Sequence, residues 1–144
     1  MPTQNVEPDF FEAAVTRFEP VKETKEFEIK SVKDLDRLWT SFASEKQLVV
    51  CVTAIDADGC DMGTFGLFLN RDRAWIHLTE GACHTARDSD FSPQDRTEVV
   101  FRDDAGREHR IPSHKTTSRD LGIKALRHWL PNGERLPELS WGSA

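Results

Sequence analysis

Residues Gln47-Leu-Val-Val-Cys-Val-Thr-Ala-Ile55 form a nearly unbroken apolar, β-branched run in the middle of the chain. No other feature restricts the fold as tightly. β-Branched side chains lose rotamer freedom in a helix and pack well on a pleated surface, so the run reads as a strand. Apolar residues at successive positions place it where both faces are covered, at the centre of a sheet. Two further apolar segments follow closely. Thr64-Phe-Gly-Leu-Phe-Leu69 reads as a second core strand and Ala74-Trp-Ile-His-Leu78 as a third, joined by a hairpin turn at Asn70-Arg-Asp-Arg73.

Helical signals flank this block. Ser31-Val-Lys-Asp34 is a helix start, with Ser31 as the cap and Asp34 in the first turn, where the helix dipole favours an anion. Val32, Leu35, Leu38, Trp39 and Phe42 then mark one face, and the helix closes near Ser44. Thr117 or Ser118 caps a second helix, whose face is Leu121, Ala125 and Trp129 with Ile123, Leu126 and Leu130 flanking; Pro131 stops it. Near the N-terminus, Asp9 is read as the cap of a short helix carrying Phe10, Phe11, Ala14, Val15 and Phe18, ended by Glu19-Pro20.

The remaining segments are shorter. Glu26 to Lys30 alternates, with Phe27 and Ile29 on one side, and reads as a strand. Thr97 to Arg102 and Arg107 to Ile111 form a hairpin around Asp103-Asp-Ala-Gly106, and Leu139-Ser-Trp141 is a terminal strand. Glu80 to Asp95 is polar and irregular, includes Ser92-Pro93, and reads as the longest loop. The pattern predicts an α+β fold: a mostly antiparallel sheet of about five or six strands with helices packed on one face. The 144 residues suit one domain, placed at 31–144, with residues 1–30 as an N-terminal extension that begins as a loose tail.

Composition narrows the functional classes. A net charge of -6 argues against phosphate-backbone binding and suits a basic partner. Cys51, Cys60 and Cys83 are odd in number and lack close pairing, so no disulfide framework is expected. The N-terminus has neither the basic nor the apolar region of a secretory leader, and no apolar run is long enough to span a bilayer. The expectation is a reduced, cytoplasmic protein with no membrane partner, no direct nucleic-acid partner and no cofactor.

Catalytic signatures are sparse. A zinc deaminase needs His-x-Glu and a later Pro-Cys-x-x-Cys, and neither occurs. The sequence has no phosphate-binding glycine loop and no nucleophile elbow. Cys60, Cys83, His84 and His109 lack the short paired spacing of a zinc site, so no metal site is assigned. Asp56, Asp58 and Asp61 resemble the opening of a calcium loop, but Leu67 stands where its bidentate Glu belongs. An enzyme built on this chain would have to use His77, Glu80, Cys83 or His84. No catalytic residue is assigned.

Acidic residues gather in the connections: Asp56, Asp58 and Asp61; Glu80, Asp88, Asp90 and Asp95; Asp103 and Asp104. Each group reads first as a solvated rim of turn-forming Asp. Read functionally, an acidic loop occupies a basic cleft by mimicking phosphate charge. The segment from Glu80 to Asp95 is favoured, with Trp75 and Phe91 near its ends as apolar anchors.

The end of the chain carries a resemblance. An Ala-Leu-Arg-x-Trp helix at Ala125 to Trp129 is followed by Gly133-Glu-Arg-x-Pro137 and then Leu139-Ser-Trp141. This resembles the closing Gly-x-x-Pro to Trp element of the immunity-protein family numbered first among the Imm families of bacterial polymorphic toxin systems. The likeness extends from about Ser31 to Trp141, through the Leu35, Leu38 helix and the strands Leu48 to Ile55, Gly63 to Leu69 and Arg73 to His77. Two departures stand out: Pro131, where related chains continue the helix to the Gly, and the first thirty residues, which have no counterpart. In this element Gly133 suits a left-handed turn, Pro137 fixes the exit and Trp141 covers the core.

The resemblance implies a non-enzymatic inhibitor that binds a cognate protein toxin one to one in the cytoplasm. The toxin would be a nucleic-acid deaminase or nuclease, held with its active site occluded. The competing readings are a small enzyme at His77, Cys83 and His84, and an effector chaperone that binds without neutralising.

Overall fold

A computed structural model describes residues 8–42, 46–88, 97–131 and 133–143. In chain order the elements are β1 (Phe10–Arg17), β2 (Glu23–Ile29), α1 (Val32–Thr40), β3 (Gln47–Ile55), β4 (Asp61–Asn70), β5 (Arg73–Glu80), β6 (Ala82–Asp88), β7 (Glu98–Arg102), β8 (Glu108–Pro112), β9 (Thr117–Ser118), α2 (Arg119–Trp129) and β10 (Leu139–Ser143). The expected tail over residues 1–7, the helix end at Ser44, Asp90, Phe91, Ser92-Pro93, Asp95 and Asn132 lie outside the described residues.

The central apolar run is β3, and it sits inside the sheet. All pairings are antiparallel, in the order β10-β6-β5-β4-β3-β1-β2, with β9 added beside β5. The fold is therefore α+β with a mainly antiparallel sheet, but that sheet has eight strands rather than about five or six. β7 and β8 form a separate two-stranded hairpin.

Two segments depart from expectation. The helix read over Phe10 to Phe18 is strand β1, paired on both sides. Its sequence satisfies both periods: Phe11, Ala13 and Val15 fall on one side at period two, and Ala13 and Val15 are buried in the core. A strand with two partners hydrogen-bonds along both margins, and that tertiary pairing outweighs the local helical spacing. Residues 10–29, set apart from the domain in the sequence, thus supply two strands of the main sheet.

The expected loop from Glu80 onward is instead the end of β5, a turn at Gly81 and then β6. Ala82-Cys-His-Thr-Ala-Arg-Asp88 is too small and polar to show alternation, and Ala86 is the core residue it contributes among those whose burial is described. Backbone pairing to β5 and β10 holds this strand in place.

The apolar face of the sheet is continuous. Val15, Val50, Leu67 and Ile76 lie in one register row, and Ala13, Val52, Phe65 and Leu78 in the next. All eight are buried. α2 lies against this face. Trp129 packs 6.0 Å from the Phe11 ring and 5.5 Å from Phe65. Gly122 comes so close that a Cβ there would fall 2.5 Å from that of Ala74. α1 contributes the fully buried Leu38 and sets Arg37 over the Phe27 ring, while Arg127 of α2 lies over Trp39 of α1. Burying a side chain of leucine or phenylalanine size contributes roughly 1.5–3 kcal/mol, so this face dominates stability.

Local signals close the helices. The Ser31 Oγ accepts the Asp34 N–H, while the Asp34 carboxylate accepts from the Lys30 N–H at 2.9 Å. Ser118 caps α2 by accepting from Leu121 N–H at 3.2 Å. At the other end Gly133 takes φ +77° and donates its N–H to the Trp129 carbonyl at 2.7 Å. Leu136 is then buried, Leu139 N–H returns to its carbonyl, and the Trp141 indole N–H donates to the same carbonyl at 2.9 Å. Gly133, Pro137 and Trp141 thus belong to one interlocked turn. Among the described residues no helix is long and apolar enough to cross a membrane.

Candidate protein-binding face

Side chains alternate along a strand, so the residues between those of the core point to the opposite side of the sheet. The register sets them in rows. Thr24, Thr16, Val49, Phe68 and Trp75 form the first; Glu26, Ala14, Cys51, Gly66 and His77 the second; Glu28, Glu12, Thr53, Thr64, Thr79 and Cys83 the third.

The β7–β8 hairpin covers the first row. Phe101 is fully buried there, 6.1 Å from the Trp75 ring, and Asn70 donates to the Val100 carbonyl at 2.7 Å. Trp75 is the hub of this contact: Phe68 lies 4.6 Å from it, His109 5.6 Å and His77 5.9 Å. It stays half-buried.

In the second and third rows Gly66 is buried, while Ala14, Cys51, Thr53, Thr64, His77 and Thr79 stay partly accessible. Glu12, Ala14, Glu26, Glu28, Cys51 and Thr53 line a concavity of about 420 Å³ there. Its charge is asymmetric. Glu12 stands directly across from Glu28, and Glu26 follows two residues earlier on the same side of β2. Lys30 pairs with Glu28 at 2.8 Å, while Glu12 and Glu26 have no ion pair or side-chain hydrogen bond among the described residues. Burial pushes the Cys51 thiol up to about 11, and the Asp104 carboxylate adds to the rise, so the hairpin tip acts electrostatically on this floor.

The two connecting turns share one construction. Asp56-Ala-Asp-Gly59 and Asp103-Asp-Ala-Gly106 each begin with an Asp whose Oδ1 accepts two backbone N–H groups, at 2.9 Å in all four cases. Each ends with a glycine at positive φ, +81° and +86°, a conformation that side chains resist. His109 adds a contact to Asp103 at 2.9 Å, and this bond, ahead of the Arg107 and Ala105 backbone bonds, holds the Asp103 carboxyl below its ordinary value of 3.8. The spacing Asp-x-x-Gly is the sequence signal for this turn.

The acidic residues singled out in the sequence therefore divide. Asp56, Asp61 and Asp103 are engaged in their own turns, Asp61 by accepting from Gly63 N–H at 2.7 Å. Asp58 and Asp104 are exposed. Glu80 faces the core side and accepts the Trp129 indole N–H at 3.4 Å. Asp88 ends β6 opposite Leu139. Asp56, Asp58, Asp61 and Glu80 share one end of the sheet, whereas Asp103 and Asp104 ride on the hairpin over its face. The carboxylates Glu12, Glu26 and Glu28 were missed because β1 was read as a helix, which hid the pairing of Glu12 with Glu28.

The four residues considered for catalysis are not brought together. His77 and Cys83 lie on the open side of the sheet; Glu80 and His84 lie on the core side. Among the described residues no group of three His, Cys, Asp or Glu side chains is placed to hold a metal ion. Arg119 was also missed. Its guanidinium donates to the carbonyls of Lys46 and Arg71 at 3.1 Å and of Phe42 at 3.2 Å, tying α2 to two connections. An Arg at the first position of a helix carries no local sign of that role. No protein-family model matches this chain, and no curated protein matches it.

Proposed function

We propose that this chain is an immunity protein: it binds a cognate bacterial toxin one to one in the producing cell's cytoplasm and blocks it by occluding the active site. The observation that carries the reading is the sheet face left open beside the β7–β8 hairpin, with a small-residue floor, an aromatic margin and unneutralised carboxylates. The resemblance over Ser31 to Trp141 supports it, and so does the interlocked turn at Gly133, Leu136 and Trp141. We read both helices as a common cover for the apolar face, which leaves the other face for a partner. A toxin that is a nucleic-acid deaminase or nuclease has a basic cleft, and an acidic protein gains both association rate and specificity against it.

The test is co-expression with the toxin encoded beside the gene for this chain, scored by growth and then by co-purification. Rescue with a stable one-to-one complex is the expected result. A toxin that kills alone, kills equally in the presence of this chain and fails to co-purify would remove the reading. Co-purification without rescue would make the chain a chaperone for the effector.

A further inference from the structure

The partly accessible part of this face forms a shallow trough. Its floor is made of short side chains on β3 and β4: Cys51, Thr53, Thr64 and Gly66. Taller groups stand on both sides, carboxylates on β1 and β2 and the Trp75–His77 pair on β5. From β1 to β5 is three interstrand spacings, about 14 Å, wide enough to seat a backbone segment with its side chains. The hairpin closes one end through Phe101. The other end opens at the β3–β4 turn.

A second feature says what occupies it. Like charges directly opposite on paired strands oppose folding, yet Glu12 faces Glu28, and among the described residues Lys30 is the one cation paired with either. A bound cation relieves that repulsion. Trp75 is packed by Phe68, His77, Phe101 and His109 at the hairpin's edge and stays half-buried, so it borders the floor as an aromatic margin. Arginine is the side chain that both pairs with carboxylates and stacks on such rings.

Resting on the immunity reading, we infer that this trough is the docking surface, and that it takes an arginine-bearing basic segment of the toxin. The acidic turns at the sheet end are then bystanders. Glu12, Glu26 and Glu28 supply the charge, and the Trp75–His77 pair supplies the aromatic margin.

The experiment measures calorimetric Kd for the toxin expressed from the neighbouring gene, using the full chain. Three proteins are compared: wild type, the triple variant Glu12→Lys, Glu26→Lys, Glu28→Lys, and Asp58→Lys at the sheet-end turn. Circular dichroism melting first establishes that each is folded. The single variant Glu12→Gln, which keeps the side-chain shape, accompanies the triple one in case that fails to fold. The triple variant is expected to lose about a hundredfold in affinity and most of its salt dependence. Glu12→Gln is expected to lose about three- to tenfold. Asp58→Lys should stay within about threefold of wild type. Folded triple and single variants that bind like wild type would overturn the docking site while leaving the immunity reading intact. Wild type that does not bind the toxin would remove both.

Discussion

The two faces of one set of strands behave oppositely. On β1, β3, β4 and β5, the residues Ala13, Val15, Val50, Val52, Phe65, Leu67, Ile76 and Leu78 are buried. One position along, Ala14, Cys51, Thr53, Thr64, His77 and Thr79 remain partly accessible. A shift of a single residue separates the stabilising surface from the available one, because strand side chains alternate with period two. The apolar face is consumed by folding. Beyond the row of Val49, Phe68 and Trp75 packed under the hairpin, a surface for a partner can be drawn from the other face with little loss of stability, since its residues there are small, polar or charged.

That contrast can be broken by mutation. Trp129→Ala strikes the apolar face where Phe11, Phe65 and Glu80 meet, and should cost about 3–5 kcal/mol in urea unfolding. A loss below about 1 kcal/mol would mean α2 is not anchored there. Arg119→Met removes charge-assisted bonds to three carbonyls and should cost about 2–3 kcal/mol. Trp141→Phe keeps the ring packing and loses one indole donor to Leu136, for about 1 kcal/mol. Glu12→Gln on the open face should run the other way, raising stability by about 0.2–1 kcal/mol as the repulsion with Glu28 falls. If it lowers stability, the open face is part of the fold's own support.

Acid sharpens the same comparison. The Asp103 carboxyl lies below 3.8 in the folded chain, chiefly through its bond to His109. A depressed carboxyl stabilises the fold fully above its unfolded value, and that contribution disappears as pH falls through the lower folded value. Asp103→Asn should therefore flatten the acid limb of the stability curve below about pH 4. An unchanged acid limb would show that the hairpin does not titrate through this residue.

Sequence alone made much of this legible. β3, β4, β5, the β7–β8 hairpin, the Ser31 cap and the Gly133 turn all have local chemistry that points one way. β1 did not, because Phe10-Phe-Glu-Ala-Ala-Val15 fits two periods and only pairing with β2 and β3 decides between them. β6 was illegible because its stability comes from neighbours' backbones, not from its own apolar residues. For the proposed binding face, Trp75 was visible as an aromatic residue singled out in the sequence. Glu12, Glu26 and Glu28 were not, since they meet only through the β1–β2 register.

A single spectrum tests the central claim. The indole N–H signals of Trp75 and Trp129 report the open and apolar faces respectively, and each is followed by NMR as the neighbouring-gene toxin is added. The account predicts that Trp75 shifts or broadens on complex formation while Trp129, buried and bonded to Glu80, holds its position. A complex that forms with Trp75 unmoved would contradict it.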